Sequence, residues 1–199
     1  MAKRPVIVLG AGSHARVILD ALARLSVKVL GVTDAAPQRV DRSKLACLLL
    51  GPDENILRHD PGRVFLVNGV GSVGVDSKRQ RLYERWKKRG YSFMSVVHPS
   101  AVLAPDVRLG EGTQVMAGTV IQVGCVVGDN TLINTRASVD HDCQIGSHVH
   151  VAPGVTLSGG VTVGEGAHLG VGAVVIQGVR IGKKVMIRAH SLVKKDVSR

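Results

Sequence analysis

Aromatic residues are nearly missing from this chain: one Trp, two Tyr and two Phe among 199 residues. A core with so few rings must be built from Val, Ile, Leu and Ala, and no ring-based platform for stacking nucleic-acid bases is present. Cysteine is scarce as well. Cys47, Cys125 and Cys143 are odd in number and lack C-x-x-C spacing, which argues against a disulfide framework or a zinc finger and for reduced thiols in a cytosol. No apolar run approaches the ~18 residues of a membrane span. The opening MAKRPVIVLGAG carries too few apolar residues before its glycines to act as a signal peptide.

Acidic residues are also in the minority, 15 against 26 Lys and Arg. The imbalance is local: residues 1–95 hold 17 basic and 8 acidic residues, residues 96–199 hold 9 and 7. A basic front half suits anionic partners such as phosphates. Its densest run, KRQRLYERWKKR at 78–89, places Leu82 and Trp86 one helical turn apart, which predicts a helix with a solvated basic face.

What the chain has in abundance is a period. From Val97 to Val193 every sixth residue is aliphatic, seventeen positions without a slip, and four residues after each stands a small side chain such as Thr113, Cys125 or Ala137. Pairs such as Leu109-Gly110, Val127-Gly128 and Ile145-Gly146 recur every 18 residues. A hexad inside an 18-residue repeat describes a triangular coil of three short strands stacked into a parallel β-helix. Residues 97–198 make about five and a half coils, roughly 27 Å tall at the usual strand spacing. Cys125 and Cys143, 18 apart, then stack as small core filler. The unbroken phase excludes any sizeable loop. The sequence pattern leaves the hand of the coil open.

Three residues after each anchor, Gly or Asn fills nine of sixteen corners, where positive φ is cheap. Three successive corners break that habit: Arg136, Asp142 and His148. Here the stretch VDHDCQIG sets His141 beside Asp142. Departures from local consistency mark candidate functional sites. A histidine of ordinary pKa accepts a proton at cellular pH, and a carboxylate on its other ring nitrogen fixes the tautomer. Adjacent residues on a flat strand face opposite ways, so the pair requires a bend. Cys143 is an inward hexad residue and a poor nucleophile.

The front half begins with a buried strand, Val6 to Leu9, that runs into Gly10-Ala-Gly12-Ser-His-Ala15, an amphipathic helix and a second strand ending at Asp34. The glycines allow backbone N–H groups at the helix start to face a phosphate, and Asp34 is placed to accept hydrogen bonds from a ribose or base. Further strands are expected at Cys47–Leu50, Val64–Asn68 and Ser92–Val97, with a helix at Asp76–Arg89. The second of these strands leads into another glycine-rich turn, NGVGS. About 95 residues make half a dinucleotide domain, a mononucleotide handle that argues against hydride transfer.

Across nearly its whole length the sequence resembles the nucleotide-sugar acetyltransferases of the left-handed β-helix (hexapeptide-repeat) superfamily, in the subgroup related to sialic-acid O-acetyltransferases. The resemblance rests on VLGAGSHARV, HPSA at 98–101, NTRASVDHDCQIG at 134–146 and the terminal SLVKKDV. It implies a small Rossmann-like α/β domain that binds a nucleotide sugar (residues 1–96), followed by a left-handed parallel β-helix that binds acetyl-CoA and carries the catalytic site (residues 97–199). The relatives N-acetylate 4-amino-4,6-dideoxy sugars carried on UDP or GDP, for bacterial surface glycans, as cytoplasmic homotrimers that need no metal. His141 matches their catalytic base and Asp142 the carboxylate that orients it. His150 matches a second histidine near the acetyl group, Asn134 a residue beside the acceptor sugar, and Gly159 and Gly170 backbone contacts to the cofactor. Gly12, Ser13, His14 and Asp34 fall where such proteins hold the nucleotide.

Three other readings compete. A sugar O-acetyltransferase of sialic-acid type shares the same base. A γ-type carbonic anhydrase would bind zinc through His141, His150 and His168, but has no need for a nucleotide-binding front domain. A nucleotide-sugar sensor would bind without turnover, and has no need of the His-Asp pair.

Overall fold

A computed structural model describes residues 4–75 and 78–198. The chain forms two compact units, Met1–Gly71 with Lys78–Val96, and Ser72–Ser77 with Val97–Arg199. The short piece from Ser72 thus goes with the coils, where Ser72 is bonded to His150.

The first unit is a parallel α/β sheet. Strands β1 (Val6–Leu9), β2 (Val29–Thr33), β3 (Leu49–Gly51) and β4 (Phe65–Asn68) lie in the order β3-β2-β1-β4, the beginning of a doubly wound fold. All four residues of β1 are buried, as a central parallel strand requires. Helix α1 (Ser13–Arg24) turns Ala15, Ile18, Leu19 and Leu22 inward at helical spacing. Gly69 follows β4 so closely beneath β1 that a Cβ would lie 2.8 Å from the Leu9 carbonyl oxygen.

Helix α2 (Lys78–Lys87) is shorter than expected, and its anticipated start at Asp76 lies outside the described residues. Its inner face holds Tyr83 and Trp86, with Leu82 half-buried, and it also buries Arg79 out of the basic run. Tyr83 and Phe93 meet at a tilt of 42° with ring centroids 4.5 Å apart, and Trp86 meets Tyr91 edge-on at 5.3 Å. Four of the chain's five rings are thus pooled in one core. The strand expected at Ser92–Val97 does not form as one piece. Phe93 makes a single bridge to Leu66, and regular pairing begins only at Val96–Val97, because this stretch passes from one unit to the other.

The second unit is a left-handed parallel β-helix. Seventeen two-residue strands, Val96–Val97 through Leu192–Val193, form three parallel sheets of five, six and six strands. Partners are 18 residues apart throughout, as in Val127 with Ile145 and Val151 with Leu169. From Val115 onward every sixth-residue anchor is at most 6% exposed. The core they form contains no aromatic side chain among the described residues.

The corners share one backbone geometry regardless of residue. Arg136, Asp142 and His148 adopt φ of 57°, 59° and 60°, beside 68° and 73° at Gly118 and Gly124. Lys184 and His190 do the same near the end of the coils. A side chain in this region costs roughly 1–2 kcal/mol. The cost is offset by regular bonding: the N–H groups of Arg136, Asp142 and His148 donate to Ala117, Val123 and Asp129 carbonyls in the coil below, at 2.8–2.9 Å. The interruption foreseen at residues 136–148 therefore changes the side chains and leaves the coil path intact. No helix among the described residues is long and apolar enough to cross a membrane.

Arg79 fastens the turn after β4. Its Nη1 donates to the carbonyls of Asn68 and Val70, while the Asn68 amide donates to the Arg79 carbonyl. Burial pushes the guanidinium down to about 9. Replacing Arg79 with Ala strips buried carbonyls of their donor and should cost about 3 kcal/mol, read as a lower urea midpoint at unchanged m.

Candidate functional site

His141 occupies an outer corner of the coil, between strands Ser138–Val139 and Gln144–Ile145. Its backbone N–H donates to Asp140 Oδ1, and its Nδ1 lies 2.9 Å from Asp142 Oδ2. The bend required for neighbours to meet is supplied by the positive φ of Asp142. A carboxylate accepts only, so Nδ1 carries the proton and Nε2 presents a lone pair. The ring remains half exposed. The bond to Asp142 first, and the charges of Asp140 and Asp142 as well, hold the imidazole above its usual 6.5. Two glycines make the space. A Cβ on Gly159 would collide with Nε2 and Cε1 of His141, and one on Gly124 would collide with Asp142 Oδ1. Asp140, which sequence reasoning did not single out, completes an Asp-His-Asp triplet visible in the sequence.

Asn134 and His150 form a second centre on another side of the coil, with His150 stacked between Leu132 and His168 in the sheet. His150 Nδ1 is 3.1 Å from the Ser72 carbonyl, an acceptor only, so this nitrogen carries the proton. Ser72 Oγ stands 2.9 Å from the same atom. Asn134 Oδ1 accepts from the Thr135 N–H and hydroxyl, which leaves its Nδ2 to donate to His150 Nε2 at 3.2 Å. One amide hydrogen of Asn134 stays available for a ligand oxygen. The His168 ring meets His150 edge-on, with centroids 4.7 Å apart, and burial lowers its pKa. Sequence reasoning missed Ser72 as a partner of His150, and nothing in a local pattern signals a contact 78 residues apart.

In the first unit, Gly10 turns the chain at φ 88° into Gly12, the N-cap of α1. A Cβ on Gly12 would meet nothing within 4 Å, so the approach to the helix N-terminus is open. Ser13 beside it is exposed, and His14 packs near Gly71 of the NGVGS turn. Asp34 differs from the expected free acceptor. Its Oδ2 takes the Ala11 N–H at 2.9 Å and its Oδ1 the Ala36 N–H at 2.8 Å, so it holds the glycine-rich turn in shape. A cavity of about 290 Å³ opens at the strand ends, with Gly10, Asp34, Asp53, Val70, Lys78 and Leu82 in its lining.

The remaining expected residues are dispersed. Gly170 packs against the next coil so closely that a Cβ would lie 2.5 Å from the Ala189 nitrogen. His148 Nδ1 is bonded to the Asn130 amide at 3.0 Å, and Arg136 extends over Gly118 from its exposed corner. Cys125 and Cys143 are free and buried, and burial pushes the Cys143 thiol up to about 12, which removes it as a nucleophile. Among the described residues no three His, Cys, Asp or Glu side chains converge on a metal-sized site.

A hexapeptide coil bearing an exposed histidine-carboxylate pair defines, as a class, the β-helical acyltransferases. Residues 5–86 match the PglD N-terminal domain, and residues 124–159 the bacterial transferase hexapeptide (six repeats). The chain is 38% identical to perosamine N-acetyltransferase from Caulobacter crescentus, solved in complex with CoA and GDP-perosamine; the match covers 98% of this chain and 91% of that one, with a TM-score of 0.88. The acetyltransferase domain of PglB from Neisseria gonorrhoeae FA1090, in complex with acetyl coenzyme A, is 29% identical over 98% of this chain and 93% of that one, also at 0.88. UDP-N-acetylbacillosamine N-acetyltransferase from Bacillus subtilis (strain 168) is 36% identical over 116 residues, which are 56% of this chain and 51% of that protein, so the match spans about half the length of this curated relative. The chain belongs to the nucleotide-sugar N-acetyltransferase family of the left-handed β-helix superfamily.

The imidazole of His141 should titrate above 6.5 in a histidine NMR experiment, because the Asp142 carboxylate favours the charged form. Asp142→Asn should bring that titration back down toward the ordinary value.

Proposed function

We propose that the protein transfers the acetyl group of acetyl-CoA to the 4-amino group of a 4-amino-4,6-dideoxy sugar carried on GDP or UDP. The observation that carries this reading is the His141–Asp142 pair, set at an open corner above Gly159, in a chain alike over nearly its full length to perosamine N-acetyltransferase. In the proposed reaction the neutral amine attacks the thioester carbonyl. His141 Nε2 accepts the proton that the amine sheds, Asp142 stabilises the resulting imidazolium, and the tetrahedral intermediate collapses with release of CoA thiolate. Asn134, held by His150 with one amide hydrogen to spare, donates to a sugar or acetyl oxygen. The backbone at Gly159 and Gly170 contacts the cofactor, and His150 stands near the acetyl group. Gly12, Ser13, His14 and Asp34 shape the nucleotide site, with Asp34 acting through the Ala11 turn. The front domain governs the nucleotide and the β-helix the acetyl donor.

His141 and Asn134 stand on different sides of one coil, so a complete site requires a neighbouring copy. We place the active form as a homotrimer with acetyl-CoA between adjacent β-helices. A column of outward residues supports this. Val102, Val174 and Leu192 face outward on one side of the coil at 62%, 39% and 56% exposure, apolar ground toward both ends of a face whose middle carries Ser138 and Thr156, and a second copy can cover it. The three free thiols agree with a cytoplasmic setting, where acetyl-CoA and nucleotide sugars are made.

Light scattering should give about three times the 21.0 kDa chain mass, and a fully active monomer would contradict the shared site. His141→Asn should lower kcat by about 10²- to 10⁴-fold with little change in KM, measured by CoA release. The pH–rate profile should fall on the acid side through a pKa above 6.5, since the raised value keeps the base protonated to higher pH. A His141→Asn protein with near-normal kcat would remove the corner as the catalytic centre.

A further inference from the structure

Asp53 is absorbed by none of the roles above. It stands just beyond β3, 5% exposed, and it lines the cavity at the strand ends. Its Oδ1 accepts the Thr33 hydroxyl at 2.7 Å from within the core. No donor among the described residues reaches Oδ2, and burial raises its pKa, which the single Thr33 bond only partly offsets. A carboxylate so placed is short of hydrogen-bond donors and turned toward a space that a ligand can enter. The other carboxylate of the cavity is better supplied, since each oxygen of Asp34 already accepts a backbone N–H, whereas on Asp53 only Oδ1 is engaged. Val70 and Leu82 add apolar walls suited to the faces of a flat ring.

We infer that Asp53 reads the nucleobase of the sugar nucleotide and selects guanine. A carboxylate accepts and cannot donate, and its two oxygens match two N–H groups side by side. Guanine offers that pair on its pairing edge, N1–H next to the N2 amino group. Uracil offers one N–H flanked by two carbonyl oxygens, which would face the carboxylate with repulsion. Adenine and cytosine each place an acceptor beside their amino group. Thr33 keeps the carboxylate in one rotamer, so the preference is built into the sheet. This inference rests on the nucleotide-sugar reading given above and narrows it to GDP-linked substrates.

The test is calorimetric titration of the full chain with GDP and with UDP. The wild-type protein should bind GDP at least about 10-fold more tightly than UDP, since a site built around donors rejects an analogue lacking them. Asp53→Asn should weaken GDP by about 10- to 100-fold, because the amide nitrogen then faces guanine N–H groups. UDP should hold or gain, since an amide matches the N–H and carbonyl of uracil. Thr33→Val, which spares the carboxylate, should keep GDP ahead. Wild-type affinity for UDP equal to or above that for GDP would overturn the assignment, with no variant needed, and would leave the acetyltransferase reading standing. An equal loss for both nucleotides in Asp53→Asn would also overturn it, marking Asp53 as a support of the sheet. Failure to bind either nucleotide would remove the nucleotide-sugar reading itself, and this inference with it.

Discussion

Every coil of the second unit hangs on one repeat distance. Strands of two residues bond to their counterparts 18 residues away, and the aliphatic anchors stack on one another inside. A two-residue strand has almost no stability alone, so each coil is held by its neighbours. One inserted residue would turn the inward set outward, which is why the phase never slips. The same regularity frees the corners. Their N–H groups are satisfied by carbonyls of the coil below whatever side chain they carry, so Asp142 can occupy a backbone state usually left to glycine. Titratable side chains are thereby placed on the coil without a loop.

His141 and His150 sit in opposite environments. His141 is half exposed, leans on a carboxylate, and keeps one lone pair facing outward over Gly159. His150 is nearly buried, bonded at both ring nitrogens and stacked on His168, which suits fixed support better than proton exchange. Asn134, beside the buried ring, spends one amide hydrogen on His150 Nε2.

The two units solve the burial problem differently. The coils are packed with aliphatic and other small side chains and no rings in their core, whereas the first unit concentrates Tyr83, Trp86, Tyr91 and Phe93 in a small core beside its sheet. That small unit also accepts polar burial. Arg79 under the turn after β4 and Asp53 beside Thr33 are costly unless bonded, and each shapes a part of the cavity rim. Asp34 likewise works through the backbone it holds.

Periodic features were legible in the sequence because they depend on residues close together in the chain. The hexad named the coil, its core positions and its corners, and the strand-glycine-helix order named the parallel unit. The adjacency of His141 and Asp142 was readable for the same reason, given a bend. Contacts between distant residues were not. Nothing local announces that Ser72 bonds His150, that a basic run buries Arg79, or that Asp53 is turned into a cavity. The strand placed at Ser92–Val97 failed because a β-like composition does not say which sheet will receive it. Asp34 was recognised as important and its partner was not, since spacing records position along the chain while a hydrogen bond depends on where the Ala11 N–H points. The sequence by itself determined the repeat, the two-part organisation and the meeting of His141 with Asp142, all set by short-range order. Tertiary structure alone decided which polar groups are satisfied from afar, because burial and hydrogen-bond direction exist only once the chain has closed on itself.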